Sequence, residues 1–153
     1  MHFVADGEQV AREFLRVLRP GGVAAACVWD VEQGMELLRL FWDAALAVRP
    51  DAPDESRTLR FSRPGEIAAV LDGAGFVDVT EDELEVSSTY TDVDELWAGF
   101  LEGVGPAGAW LVGSEAATQQ AVHDELVARL GAPSGPFTLR AVARAARGTR
   151  PAS

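Results

Sequence analysis

The stretch Leu15–Asp30, LRVLRPGGVAAACVWD, constrains the fold of this chain more than any other. Upstream of it, Asp6 followed by Gln9 has the form of a capping box. Val10, Phe14, Val17 and Leu18 then recur on one stripe at helical spacing, with Arg12, Glu13, Arg16 and Arg19 on the wet side. Pro20-Gly21-Gly22 ends this helix, because proline disfavours helical geometry in Arg19 and glycine permits positive φ. Val23–Trp29, VAAACVW, is short, continuous and apolar, which suits a strand covered on both faces. Periodicity alone would also allow a helix there; the glycines before it and Asp30 after it favour the strand.

The rest of the chain supplies helices and two further strands. The spacing predicts helices over Gly34–Val48, from about Ser62–Pro64 to Ala74, from Thr91–Asp94 onward, and from a Ser114 cap through Leu130. Gly75-Phe76 reads as a Schellman-type stop to the second of these. Residues 76–90 read as one long strand with a bend or bulge at Glu81-Asp82-Glu83. Residues 50–63 form a turn-rich loop, and 103–113 are glycine-rich with Trp110 and Leu111 inside. Residues 136–145 read as a last strand, with helix as a lesser option. A glycine-rich turn feeding a strand, with helices between the strands, predicts an α/β layer fold.

With 153 residues, the chain is about one domain and is long enough to bury a core unaided. No apolar run approaches the ~18 residues of a membrane span. The first residues, MHFVADGEQ, show no basic or apolar signal-peptide region. The lone Cys27 is expected as a reduced core thiol. A cytoplasmic protein is therefore expected. The formal net charge is −11 and all 13 basic residues are arginine. So acidic a surface repels phosphate backbones and argues against nucleic acid as a partner. Arg140, Arg144, Arg147 and Arg150 read as a solvated strand face running into a frayed tail, against the alternative of a basic arm. His2 and His123 have no ligand-like neighbours, so no metal site is expected.

Three pieces together resemble class I S-adenosylmethionine-dependent methyltransferases of the small-molecule type 11 group. Met1–Gly22, ending LRVLRPGG, is similar to that family's helix after its fourth strand and its L(R/K)PGG motif. VAAACVWD looks like its fifth strand, and EIAAVLDGAGFVDVT, Glu66–Thr80, like the helix-Gly-Phe unit leading into its sixth. The last strand would be the antiparallel seventh. The resemblance implies the C-terminal half of a Rossmann-like fold. Its sheet would be three-stranded and mixed, in the order 5-7-6, with helices on both faces. Residues 1–153 would be one truncated domain, with 31–61 and 91–135 as helical insertions or a lid.

The resemblance also implies S-adenosylmethionine as cofactor and a small-molecule methyl acceptor. In the family, however, the cofactor is gripped by a glycine-rich loop after the first strand, and this sequence has no GxGxG. The expectation is that on the order of 100 residues, a βαβαβ half, lie outside it, and that the chain alone is not active. By the resemblance, His2 and Phe3 fall beside bound cofactor, against the reading of a frayed terminus. Trp29 and Asp30 end a strand where such sites open, and would face substrate; packing and helix capping are the alternative. Trp97 joins them as a pocket candidate, against plain core. Without a fourth strand, 23–29 would be an exposed apolar edge, which predicts a homodimer or a complex through it. A non-catalytic association module is the competing function.

Overall fold

The structure is a computed structural model and describes residues 1–152. The chain divides into two compact units. One comprises Met1–Gly34, Leu59–Glu85 and the segment from Val142; the other comprises Met35–Thr58 and Val86–Ala141.

In the first unit, helix α1 (Gly7–Val17) begins as its sequence dictates, with the Asp6 carboxylate accepting the Gln9 N–H at 2.8 Å. It ends at Val17, with Leu18 already extended at ψ 146°, just ahead of Pro20-Gly21-Gly22, where Gly21 adopts φ +74°; the Arg150 guanidinium caps the Leu18 carbonyl. Strand β1 (Val23–Trp29) follows. Helix α3 (Glu66–Ala74) ends at Gly75, φ +99°, whose N–H and that of Phe76 return to the last helical turn. Ala11 of α1, Ile67 and Leu71 of α3, Ala24 and Val28 of β1, and Phe76 form one buried cluster.

Both helices therefore cover the same face of β1. The other face, Val23, Ala25, Cys27 and Trp29, is exposed. This corrects the expectation of a strand buried on both sides and of a core thiol: small and branched residues suit a covered strand, but they do not bring the second cover.

Strands β2 (Val77–Tyr90) and β3 (Phe137–Thr149) complete a three-stranded sheet of order β1-β3-β2. Pairing runs antiparallel from Val23 opposite Thr149 to Trp29 opposite Ala143. On the other side of β3, Arg147 bonds Thr80, Arg144 bonds Glu83, and Thr138 bonds Thr89, so this pair is antiparallel too. The sheet is antiparallel throughout rather than mixed, because the last strand lies between the first two and opposes both. The left-handed residue of β2 is Asp78, φ +52°, ahead of the acidic patch expected to bend it. The C-terminal arginines do not fray: β3 continues to Thr149, and Arg144, Arg147 and Arg150 are all bonded.

The second unit is helical. Helix α2 (Glu36–Val48) packs on α6 (Ala116–Arg129), and α4 (Val93–Leu101) on α5 (Gly105–Val112). Phe41 and Trp42 from α2, Leu96 and Phe100 from α4, Leu111 from α5, and Val122 and Leu126 from α6 make its core. Phe41 stacks on Phe100 with centroids 4.4 Å apart.

Three local details differ from what the sequence predicts. Helix α5 occupies the glycine-rich segment 103–113, to which the sequence assigns no element, because Pro106 is tolerated in the first turn and the buried Gly108 lets the chain pack closely. Ser114 does not cap α6; its hydroxyl donates to the Trp110 carbonyl. Helix α3 starts at Glu66, after Gly65 at φ +82°, and its free N–H groups on Gly65 and Ala68 are bonded by Glu81 from β2 at 2.6 and 3.0 Å.

Candidate functional site

The helical unit holds an apolar cavity of about 230 Å³ between α2, α4 and the start of α5. Leu38, Leu96, Phe100 and Ala107 wall it, and Glu55, Tyr90 and Glu95 bring polar groups to it. A small number of polar groups on apolar walls is the usual composition of a small-molecule site.

Each polar group is positioned by local structure. Glu55 sits on a 3-10 turn, Glu55–Arg57, started by Asp54, whose carboxylate accepts the Ser56 N–H at 2.9 Å. Arg39 of α2 holds that turn in place. Both terminal nitrogens of its guanidinium reach Asp54 Oδ2 at 3.0 Å, and one also reaches Ser56 Oγ at 2.9 Å. Glu95 closes the first turn of α4, accepting from the Thr91 N–H at 2.6 Å while its own N–H donates to Asp92 at 2.8 Å. Tyr90 ends β2 and stacks on Phe137 at 5.6 Å.

Burial pushes the Glu55 carboxyl above its ordinary range; Trp42 moderates the shift and the Asp54 charge adds to it. The Trp42 indole N–H is buried and finds no acceptor in hydrogen-bond geometry, so its influence on Glu55 is weak. Burial also raises Tyr90, helped by the charge of Glu95. Glu55 is only 9% exposed, and carboxyls desolvated in this way are the kind that serve binding or proton transfer.

A second polar cluster lies in the first unit at the end of β1. Asp30, 5% exposed, accepts from the Arg144 guanidinium at 2.8 Å and from the Gln33 N–H at 3.0 Å. Arg144 also donates to Glu83 at 2.6 Å. Burial alone would raise the Asp30 carboxyl, but its bonds to Arg144 and to the Gln33 and Gly34 backbone outweigh that and hold it below the usual aspartate range. With its acceptor sites occupied and its charge matched, Asp30 reads here as a structural brace.

The residues expected to carry the site are dispersed. Trp29 lies 42% exposed on the open face of β1. His2 donates through Nδ1 to the Arg60 carbonyl at 2.7 Å, its Nε2 is buried without a partner, and Phe3 is 88% exposed. Trp97 packs edge-on against His123 and Phe100 at 5.0 and 6.3 Å and is not among the residues lining the cavity. The sequence assigns Glu55 and Tyr90 no site role, and it places Arg144 on a solvated strand face rather than in a polar cluster. Arg144 left a signal, a charge inside an alanine-rich strand; Glu55 left none, because its burial depends on helices distant in sequence.

His2 has one ring nitrogen engaged, Phe3 points to solvent, and Gly34, the glycine between β1 and α2, is packed so closely that a Cβ would lie 2.7 Å from Asp30 and Val142. Among the described residues, no group of three or more His, Cys, Asp or Glu side chains could hold a metal ion. No helix among them is long and apolar enough to cross a membrane. The fold and cavity define an α/β chain with an antiparallel three-stranded sheet and a helical, pocket-bearing unit. No protein-family model matches the chain, and no curated protein matches it.

Proposed function

We propose that this chain is the acceptor-binding half of an S-adenosylmethionine-dependent small-molecule methyltransferase fold. The observation that carries the reading is the sheet order. A last strand inserted between the first two, with α1-Pro-Gly-Gly before β1 and α3-Gly75-Phe76 before β2, supports mapping them on the fifth, seventh and sixth strands, although the sheet is antiparallel throughout rather than mixed. The helical unit then takes the role of the lid, and its cavity receives the methyl acceptor. The cofactor and its glycine-rich loop come from elsewhere, so the chain alone does not transfer methyl groups. Calorimetric titration with S-adenosylhomocysteine tests this. No micromolar binding is expected for the chain alone, and binding is expected once a protein carrying a strand–GxGxG–helix half is added. Micromolar binding by the chain alone would overturn the division of labour.

A second reading, a non-catalytic module that dimerises or binds a partner through β1, is favoured by the two sheet edges. Strand β2 carries Asp78, Glu81, Asp82, Glu83 and Glu85, the usual defence of an exposed edge, whereas β1 carries no charge at all. Asp30 donates its N–H to Val142 and Gly22 accepts from Arg150. By the two-residue period of an antiparallel ladder, Val23, Ala25, Cys27 and Trp29 then turn their backbone groups outward. Ala25→Pro removes one outward N–H without touching the β3 ladder. In this reading the native chain is a dimer by light scattering and the variant a monomer; a monomeric native chain excludes the homodimer.

A further inference from the structure

We propose that the cavity of the helical unit binds a small organic cation, an amine on an apolar body, with Glu55 as its counter-ion. This rests on the reading of the cavity as the acceptor site and names the ligand class. Two of the lining side chains are carboxylates and none is basic. The cation that braces the same turn, Arg39, is spent on Asp54, Asp43 and Ser56. Glu95 has one oxygen committed to Thr91. Glu55 thus reaches the cavity as a carboxyl removed from water with no positive partner, an arrangement that favours its protonated form until a ligand supplies the charge. Phe100 and Tyr90 line the same space, and an aromatic ring attracts an ammonium group electrostatically through its quadrupole, an attraction a neutral hydroxyl lacks. An anionic ligand would meet Glu55 and Glu95 with nothing to offset them. A neutral ligand would leave Glu55 without a positive partner.

Three probes of one shape separate these cases: 2-phenylethylamine, 2-phenylethanol and 3-phenylpropionate. They are titrated into the native chain by calorimetry, with tryptophan fluorescence as a second readout, since Trp42 and Trp110 belong to the surrounding core. The amine is expected to bind at least tenfold tighter than the alcohol, and the acid weakest. In Glu55→Gln the amine and alcohol should bind within twofold of each other. Gly99→Leu, at a lining position of α4 where an added Cβ meets nothing within 4 Å, should fill the cavity and abolish binding of all three while keeping the fold. Equal binding of amine and alcohol by the native chain, or an amine preference that survives Glu55→Gln, overturns the proposal but leaves an acceptor pocket. Binding of none of the three overturns both.

Discussion

Arg144 donates to Asp30 at 2.8 Å across 114 residues of sequence, and ties the end of β1 to the middle of β3. Their side chains are 15% and 7% exposed, so the pair is held largely out of water. Removing Asp30 leaves Arg144 paired with Glu83 alone and the Gln33 N–H without its acceptor, and the loss of these charge-assisted bonds costs roughly 2 kcal/mol. Asp30→Ala is expected to lose about that much in urea unfolding at neutral pH. Because the folded-state pKa of Asp30 is lowered, its contribution is present above the ordinary aspartate value of 3.8 and is lost as pH falls through the lower folded value. The gap between native and variant should therefore close below that pH. A gap that persists unchanged in strong acid would refute the assignment.

Glu55 carries the opposite sign. Its folded pKa is raised, so the folded state holds the proton more tightly than the unfolded chain does. Stability is therefore lost as pH rises from the ordinary glutamate value of 4.5 through the folded one. Glu55→Gln removes that loss. The variant should unfold at a higher temperature than the native chain at pH 7 and lose this advantage by pH 4. A native chain that stays the more stable of the two at pH 7 would show that the carboxylate has a partner in the folded state.

Two glycines should respond oppositely to alanine. At Gly34 a Cβ would fall 2.7 Å from the Cβ atoms of both Asp30 and Val142, and such crowding costs about 1–3 kcal/mol. At Gly73, inside α3, a Cβ meets nothing within 4 Å, and the gain in helix propensity is about 0.5–1 kcal/mol. Chemical denaturation of Gly34→Ala and Gly73→Ala checks both; a neutral Gly34→Ala would mean that the turn after β1 yields easily.

Cys27 lies on the open face of β1. It should react with a thiol reagent such as DTNB in native buffer, one equivalent per chain, at a rate close to that of the unfolded protein. Reaction only on denaturation would mean that the face is covered in solution.

How much of this could be read ahead of the structure depended on the range of the forces involved. The Asp6 cap and the Gly75-Phe76 stop are settled within a few residues and stand where the sequence places them, while the first helix ends at Val17, slightly ahead of Pro20-Gly21-Gly22. The extent of β1 was equally local. Its burial was not, since coverage of one face comes from α1 and α3 and nothing in VAAACVW says how many covers there are. Helix α5 was hidden because Gly105, Gly108 and Pro106 argue against a helix taken one at a time, while Ala107 and Leu111 stabilise it through contacts with Phe41, Trp42 and their neighbours. The cavity was invisible for the same reason: Glu55 and Phe100 meet only after α2 and α4 have folded.

The register that pairs Val23 with Thr149 also sets a timetable. A ribosome adding about 5–20 residues per second completes β1 many seconds before it reaches the strand that pairs with it. For that interval seven uncharged residues, VAAACVW, have no ladder partner within their own chain. Helix α1 is already available to cover one side, but the edge has nothing to bond until β3 emerges. Crowded synthesis, as in overexpression, should therefore expose this chain to strand-to-strand mispairing at β1 first, and slower translation of residues 30–140 should lengthen the exposure rather than relieve it.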